Sequence, residues 1–196
     1  MHTRNAALIT AGLLTAVLAG PALGQRRPIV IGVDGAAAYH EVKGSSNFFE
    51  VSGPVGGVMT TGPLQGLRIG FFLSDRISFE PSIGFAMLND EEDDNVTRIG
   101  LSSSILFHTA GAVKGPFVGL GGNYTALDYG TTNTQFGAHG LVGDNFEVAP
   151  QFYVRLAGGA GHFFENNDML ARWTYFVTLG ISYAVGGTTS LAMSSH

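Results

Sequence analysis

The chain contains no cysteine. That excludes a disulfide framework, thiolate chemistry and a lipid-bearing N-terminal cysteine. Charge is scarce as well: Asp, Glu, Lys and Arg make up 13 % of the 196 residues. A net charge of −5 and a pI near 5.6 offer no basic surface to nucleic acid. Beyond the N-terminus there is no run of about 18 apolar residues, the length a membrane-crossing helix requires. Yet mean hydropathy is +0.22, high for a water-soluble domain. Hydrophobicity that is plentiful but never continuous must be spread over many short segments, as in chains that cross a bilayer with strands.

The N-terminus has the composition of an export leader. Arg4 supplies a positive start, Ala6 to Leu18 is apolar, and Ala22-Leu23-Gly24 gives a small-x-small cleavage pattern. The expected organisation is a leader over residues 1–24, one domain over 25–185 and a short tail over 186–196.

Residues 171–185 carry the clearest pattern. Trp173, Tyr175, Val177, Leu179, Ile181, Tyr183 and Val185 alternate with Thr174, Phe176, Thr178, Gly180, Ser182 and Ala184. Period two means a strand with one large apolar face and one mostly small or polar face. Aromatics stand at both ends of the apolar face and aliphatics between them, the layout of interfacial girdles around a hydrocarbon band. The same alternation recurs over 29–40, 67–73, 77–87, 97–109, 116–127, 134–142 and 152–161, and no helix-period segment appears in the mature chain. Pro81 inside the third of these predicts a bulge. The polar connections near 43–63, 89–95, 128–133 and 164–170 read as the longer set, and 74–76, 110–115 and 143–149 as the shorter. Phe48-Phe49 and Val55 to Met59 are expected to extend the strands flanking the first loop. The fold expected is all-β: an eight-stranded, antiparallel, up-and-down transmembrane barrel.

On the face opposite the apolar one lie Asp34, Arg68, Glu80, Arg98 and Arg155, with His108 and His139. Charges facing lipid are costly, so these should point into the lumen and pair there. An interior of eight strands is only just wide enough for side chains, which predicts a polar plug. The many inward glycines, Gly32, Gly70, Gly119 and Gly159 among them, leave two readings open: water-filled space for a narrow solute path, or room for tight coiling of the strands.

The run Asp90, Glu91, Glu92, Asp93, Asp94 is an acidic loop tip. Its carboxylates suit a divalent cation, although the spacing is not that of an EF-hand and a solvated charged loop is the simpler reading. Catalysis would need a nucleophile beside a base. Ser104 and His108 share a strand but lie four residues apart, about 13 Å along it. His162 and Glu165 sit near a strand end, and no nucleophile motif occurs. His40, His108, His139 and His162 are scattered, so neither a metal nor another cofactor is expected.

With the leader, the eight alternating segments and the closing Leu179-Gly180-Ile181-Ser182-Tyr183-Ala184-Val185, the chain resembles the small outer-membrane β-barrel family that includes OmpA and OmpX. In that family the last strand tends to read x-Gly-x-x-aromatic-x-hydrophobic and is recognised by the barrel-assembly machinery. Gly180, Tyr183 and Val185 match. The family pattern usually closes the chain on an aromatic, whereas here Val185 stands at that position and 186–196 follow. The resemblance implies an outer-membrane protein, a monomer, without enzymatic activity, with a structural or surface-contact role or at most slow porin-like passage. Its partners would be outer-membrane lipid and lipopolysaccharide, and the assembly machinery during biogenesis. Two other readings compete. One is a lipid-modifying enzyme on the same barrel; the other is a soluble periplasmic barrel holding a small apolar ligand, which would put the apolar face inside.

Overall fold

The computed structural model describes residues 27–52, 66–89, 95–111, 113–128, 132–166 and 169–186. The proposed leader and residues 187–196 of the proposed tail lie outside the described residues. Among the described residues nine strands follow one another: β1 (Ile29–Val42), β2 (Phe48–Ser52), β3 (Gly66–Phe72), β4 (Ile77–Asn89), β5 (Asn95–His108), β6 (Gly115–Asp128), β7 (Thr132–Ala149), β8 (Phe152–Phe163) and β9 (Arg172–Val185). Every pairing is antiparallel, and β1 pairs with β9 along its whole length, from Ile29↔Val185 to Val42↔Arg172, which closes the sheet. β2 and β3 share one place in the ring: β3 pairs with Ile29 to Asp34 of β1, and β2 with Ala36 to His40. The wall is therefore an eight-stranded antiparallel up-and-down barrel.

The tight turns after β3, β5 and β7 gather at one end with Ile29 and Val185, here the turn end; the opposite rim is the loop end. Burial alternates along β9 without a break, buried at Arg172, Thr174, Phe176, Thr178 and Gly180 and exposed between them, as the spacing predicts.

Three expectations change. Residues 143–149 are strand, not a return loop: Gly143 pairs with Ala157 and Asn145 with Arg155. The chain reverses at Pro150-Gln151, where Gln151 has φ 69°. Proline pre-sets the first corner of such a turn, and the second demands a left-handed residue. The Gly and Asp punctuation at 143–144 signals a turn in sequence but is carried here inside a long ladder. Pro81 causes no bulge, since the β3–β4 register is the same on both sides of it, Arg68↔Ser82 and Phe71↔Phe79. Instead the ladder lapses between those pairs, opposite a residue that has no N–H to donate. The irregularity lies between Glu147 and Ala149. Finally, the β6–β7 connection is shorter than expected, because pairing continues to Asp128↔Thr132. Phe48 and Phe49 do extend the sheet, in β2, whereas Val55 to Met59 lie outside the described residues.

Candidate functional site

Two surfaces carry the chemistry, the inside and the outside of one wall. Inside, Arg68 on β3 donates through Nε to Asp34 Oδ2 on β1 at 2.8 Å, and through Nη2 to Oδ1 at 3.4 Å. Its Nη1 lies 3.4 Å from Glu80 Oε2 on β4. The same Glu80 oxygen accepts from Arg155 Nη1 on β8 at 2.6 Å. Two guanidinium and two carboxylate groups thus form one chain across the lumen, with no net charge. Arg155 also lies over the Phe117 ring, 4.3 Å from its centroid. Arg68 and Arg155 are each 1 % exposed. Buried charges are tolerated on such terms: opposite partners in reach and hydrogen bonds on most polar atoms.

Four of the five lumen residues expected from the sequence meet in this network. The side chain of the fifth, Arg98, lies outside the described residues; its backbone pairs with Ala86 and Leu127. The acidic run Asp90 to Asp94 also lies outside them.

The inward face of β1 reads upward through the lumen in layers. Val30 belongs to an apolar plug at the turn end with Phe72, Val113, Ala184 and the partly buried Tyr153. Val113 comes from the β5–β6 turn, where Asn145 Nδ2 donates to its carbonyl at 2.8 Å. Asp34 marks the charged layer. Ala38 belongs to a second apolar layer with Leu106, Phe117, Leu141, Ala157 and Phe176. His40 opens a polar mouth: its ring nitrogens lie 2.9 Å from Thr174 Oγ1 and 3.1 Å from Glu50 Oε2. At the same rim Gln135 Nε2 donates to the carbonyls of Phe164 and Leu170, tying down the last loop, and Arg172 lies 4.4 Å above the Phe163 ring.

Most of the inward glycines resolve in favour of filling, whereas a Cβ on Gly100 would meet nothing within 4 Å. A Cβ on Gly32 would lie 2.6 Å from Arg68 Nη2, and one on Gly70 3.2 Å from Glu80 Oε1. The corresponding spaces beside Gly143, Gly159 and Gly180 hold the Phe117 ring, the Phe176 ring and the Asp34 carboxylate. Gly180, picked out by the closing motif, stands in register between Asp34 and Arg155, so it makes room for the charged layer. Tyr183 and Val185 face outward; the Tyr183 ring meets that of Phe152 at a tilt of 50°, with centroids 4.8 Å apart, and its hydroxyl donates to Gln151 Oε1 at 2.7 Å.

Sequence spacing missed the serine–histidine pairs. Ser104 and His108 are indeed apart, but each has a partner on another strand. Ser104 Oγ lies 2.9 Å from His139 Nε2, and Ser78 Oγ 2.9 Å from His108 Nε2. Only the register could have shown this, through Gly121↔His139 and Ser104↔Gly121. All four residues are buried in the packed lumen.

Outside, Leu120 is 73 % exposed and Leu179 62 %. Ile31, Leu67, Ile83, Ile105, Val142 and Val177 join them in an exposed aliphatic band. Tyr39, Phe136, Trp173 and Tyr175 are exposed toward the loop end, and Phe107, Phe146, Phe152 and Tyr183 toward the turn end. Two aromatic belts around an aliphatic band are the surface of a barrel set in lipid. A carboxylate that departs from the pattern is Asp144, which alternates outward between Gly143 and the inward Asn145 toward the turn end of β7.

Comparison with known proteins returns solved structures of low similarity. Solved structures similar to the chain include Neisserial surface protein A (15 % identity, 79 % of this chain and 96 % of that one, TM-score 0.49). Ail, the attachment invasion locus protein of Yersinia pestis, is another (12 %, 81 % and 100 %, TM-score 0.41). A third is the N-terminal β-barrel domain of Pseudomonas aeruginosa OprF (14 %, 81 % and 100 %, TM-score 0.39). No family model and no curated protein matches the sequence. Likeness at these identities concerns the fold alone, and the functional reading rests on the two faces of the wall.

Proposed function

We propose that the protein is an integral outer-membrane β-barrel with a structural or surface-contact role and a closed lumen. The observation that carries this reading is the sidedness of the wall: exposed aliphatics such as Leu120 and Leu179 outside, and buried, mutually paired Asp34, Arg68, Glu80 and Arg155 inside. A soluble ligand-binding barrel requires the reverse. The layered packing of the lumen supports a plug over a solute path, and gives the buried serine–histidine pairs a structural role in place of a catalytic one. In this reading the N-terminal leader directs export and the turn end faces the periplasm. The loop end faces outward, lipid and lipopolysaccharide surround the band, and the assembly machinery engages β9 during biogenesis. The protein acts as a monomer.

The test is detergent dependence. Refolded mature protein is expected to stay monodisperse only with detergent or lipid, and to show a heat-modifiable band on electrophoresis. Monodispersity in plain buffer, with Trp173 emission characteristic of a buried indole, would refute the assignment.

A further inference from the structure

A cavity of about 280 Å³ opens on the loop-end rim, lined by Glu41, Lys43, His162, Arg172 and Trp173 with two neighbouring apolar residues. The register builds it: Trp173 on β9 stands between Glu41 on β1 and His162 on β8. Just beyond the strands the Lys43 N–H donates to the Ala171 carbonyl at 3.0 Å, which holds the two flanks together. The His162 and Trp173 rings meet edge to face, 4.8 Å between centroids at 62°, and Trp173 stays half-exposed. Lys43 Nζ lies 3.0 Å from Glu165 Oε2, a carboxylate outside the lining, with 72 % and 51 % of the two side chains exposed. An ion pair so open to solvent is weak, so its ammonium can exchange partners at little cost. Arg172 brings a second positive charge from the buried face of β9.

The lining thus sets two cations against the single carboxylate of Glu41, in a chain whose net charge is −5. Such a cleft attracts an anion, and phosphate is the one that Lys and Arg hold best. A bare phosphate would leave Trp173 and Glu41 without a role. Both suit a sugar: a flat indole packs against the apolar face of a pyranose, and a carboxylate accepts from a hydroxyl or an amide N–H. The Tyr175 hydroxyl donates to Glu41 Oε2 at 3.4 Å, which holds that carboxylate beside the indole. Directly below, Tyr175, Val177 and Leu179 run down the outer face into the aliphatic band, where acyl chains lie. The ligand outlined is a sugar that carries both phosphate and acyl chains. The lipid anchor of lipopolysaccharide has that chemistry, and the loop end is the rim assigned above to its side of the membrane. We propose that this cleft is a defined seat for one phosphorylated, acylated amino-sugar of lipopolysaccharide, with the phosphate on Lys43 and Arg172, the ring on Trp173, and the chains on Val177 and Leu179. The inference rests on the outward placement of the loop end argued above.

The chain has a single tryptophan, so Trp173 reports on the cleft without labelling. Protein folded in a neutral maltoside detergent is titrated with lipid A in the same detergent, with dephosphorylated lipid A, with phosphatidylglycerol, and with soluble N-acetylglucosamine 1-phosphate. Lipid A is expected to change Trp173 emission saturably. The dephosphorylated form has the sugar and chains without the charge, and phosphatidylglycerol has a charge and chains without the sugar; each should bind at least about tenfold more weakly, on the order of one hydrogen bond to a charged group. The soluble phosphosugar should also bind more weakly than lipid A, because it has no chains to bury on the band. Lys43→Ala is expected to weaken lipid A about tenfold and to leave the dephosphorylated form unchanged, a coupling that general loosening of the rim would not produce. The Lys43 side chain is exposed, so the heat-modifiable band should be unaltered. Equal binding of lipid A and its dephosphorylated form, or a Lys43→Ala variant that binds lipid A as the parent does, would overturn the proposal. Phosphatidylglycerol or the soluble phosphosugar binding as tightly as lipid A would overturn it too. A protein that needs detergent but fails to discriminate refutes this inference alone, whereas one that is monodisperse in plain buffer refutes the membrane placement beneath it.

Discussion

Arg155 illustrates how much of the interior depends on single side chains. Its Nη1 and Arg68 Nη1 converge on one oxygen of Glu80, at 2.6 and 3.4 Å. Removing Arg155 leaves Glu80 with the longer of the two contacts, in a lumen where no bulk water replaces the lost one. Breaking a buried pair by removing one partner typically costs about 3–5 kcal/mol. Arg155→Ala is therefore expected to lower the urea midpoint of the protein folded in lipid vesicles well below that of Lys43→Ala, whose ion pair is exposed. Equal midpoints would contradict the network. Gly180→Ala is expected to destabilise through the same layer, because the new Cβ would occupy the position of the Asp34 carboxylate; the same unfolding measurement checks it, and an unchanged midpoint would show that the layer can shift. At this scale the sequence was partly legible. Alternation put Asp34, Arg68, Glu80 and Arg155 on the inner face, because a charge has nowhere else to go. It could not pair them, since Arg155 and Glu80 are separated by 75 residues and four places in the ring. The role of Gly180 was equally hidden: a motif names the glycine, but only the cross-strand register names what fills the space beside it.

For the strands, legibility follows from how burial is distributed. β9 read without error because one of its faces is uniformly large and the other almost uniformly small, so that a slip of one residue would expose every buried group. β7 read worst. Its turn-end half contains Gly143, Asp144 and Asn145, residues typical of loops, and remains strand because β6 and β8 pair with it on both sides. Tertiary pairing overrides local preference there. The Pro81 expectation failed for a related reason: an unbroken register across the lapse absorbs the missing donor without an extra residue. The element-scale prediction concerns β9. Leu179 stands midway between the belts marked by Trp173 and Tyr183, and an arginine at the lipid midplane of such a barrel costs roughly 2–4 kcal/mol. Leu179→Arg is expected to reduce sharply the fraction that acquires the heat-modifiable form during refolding into vesicles. Normal yield would mean that this face does not meet lipid.

Across the whole molecule, the layers of the lumen act in series, and each blocks a different traveller. The charged layer carries no net charge and offers no free field to steer an ion. The apolar layer of Leu106, Phe117, Leu141 and Phe176 gives a permeating ion no replacement for its hydration shell. The plug of Val30, Phe72 and Val113 closes the turn end below them. An open path therefore requires more than one layer to yield at once, and the protein in a planar bilayer is expected to show no steady single-channel current. The rings of Phe117 and Phe176 fill the spaces beside Gly143 and Gly159, so replacing both with glycine empties the middle of the lumen without altering the outer wall. The double variant should still assemble, unfold at lower urea than the parent and, with the plug and the charged layer intact, remain non-conducting. A steady current from the unmodified protein would show that the layers do not close the barrel, and the plug would have to be abandoned in favour of a solute path.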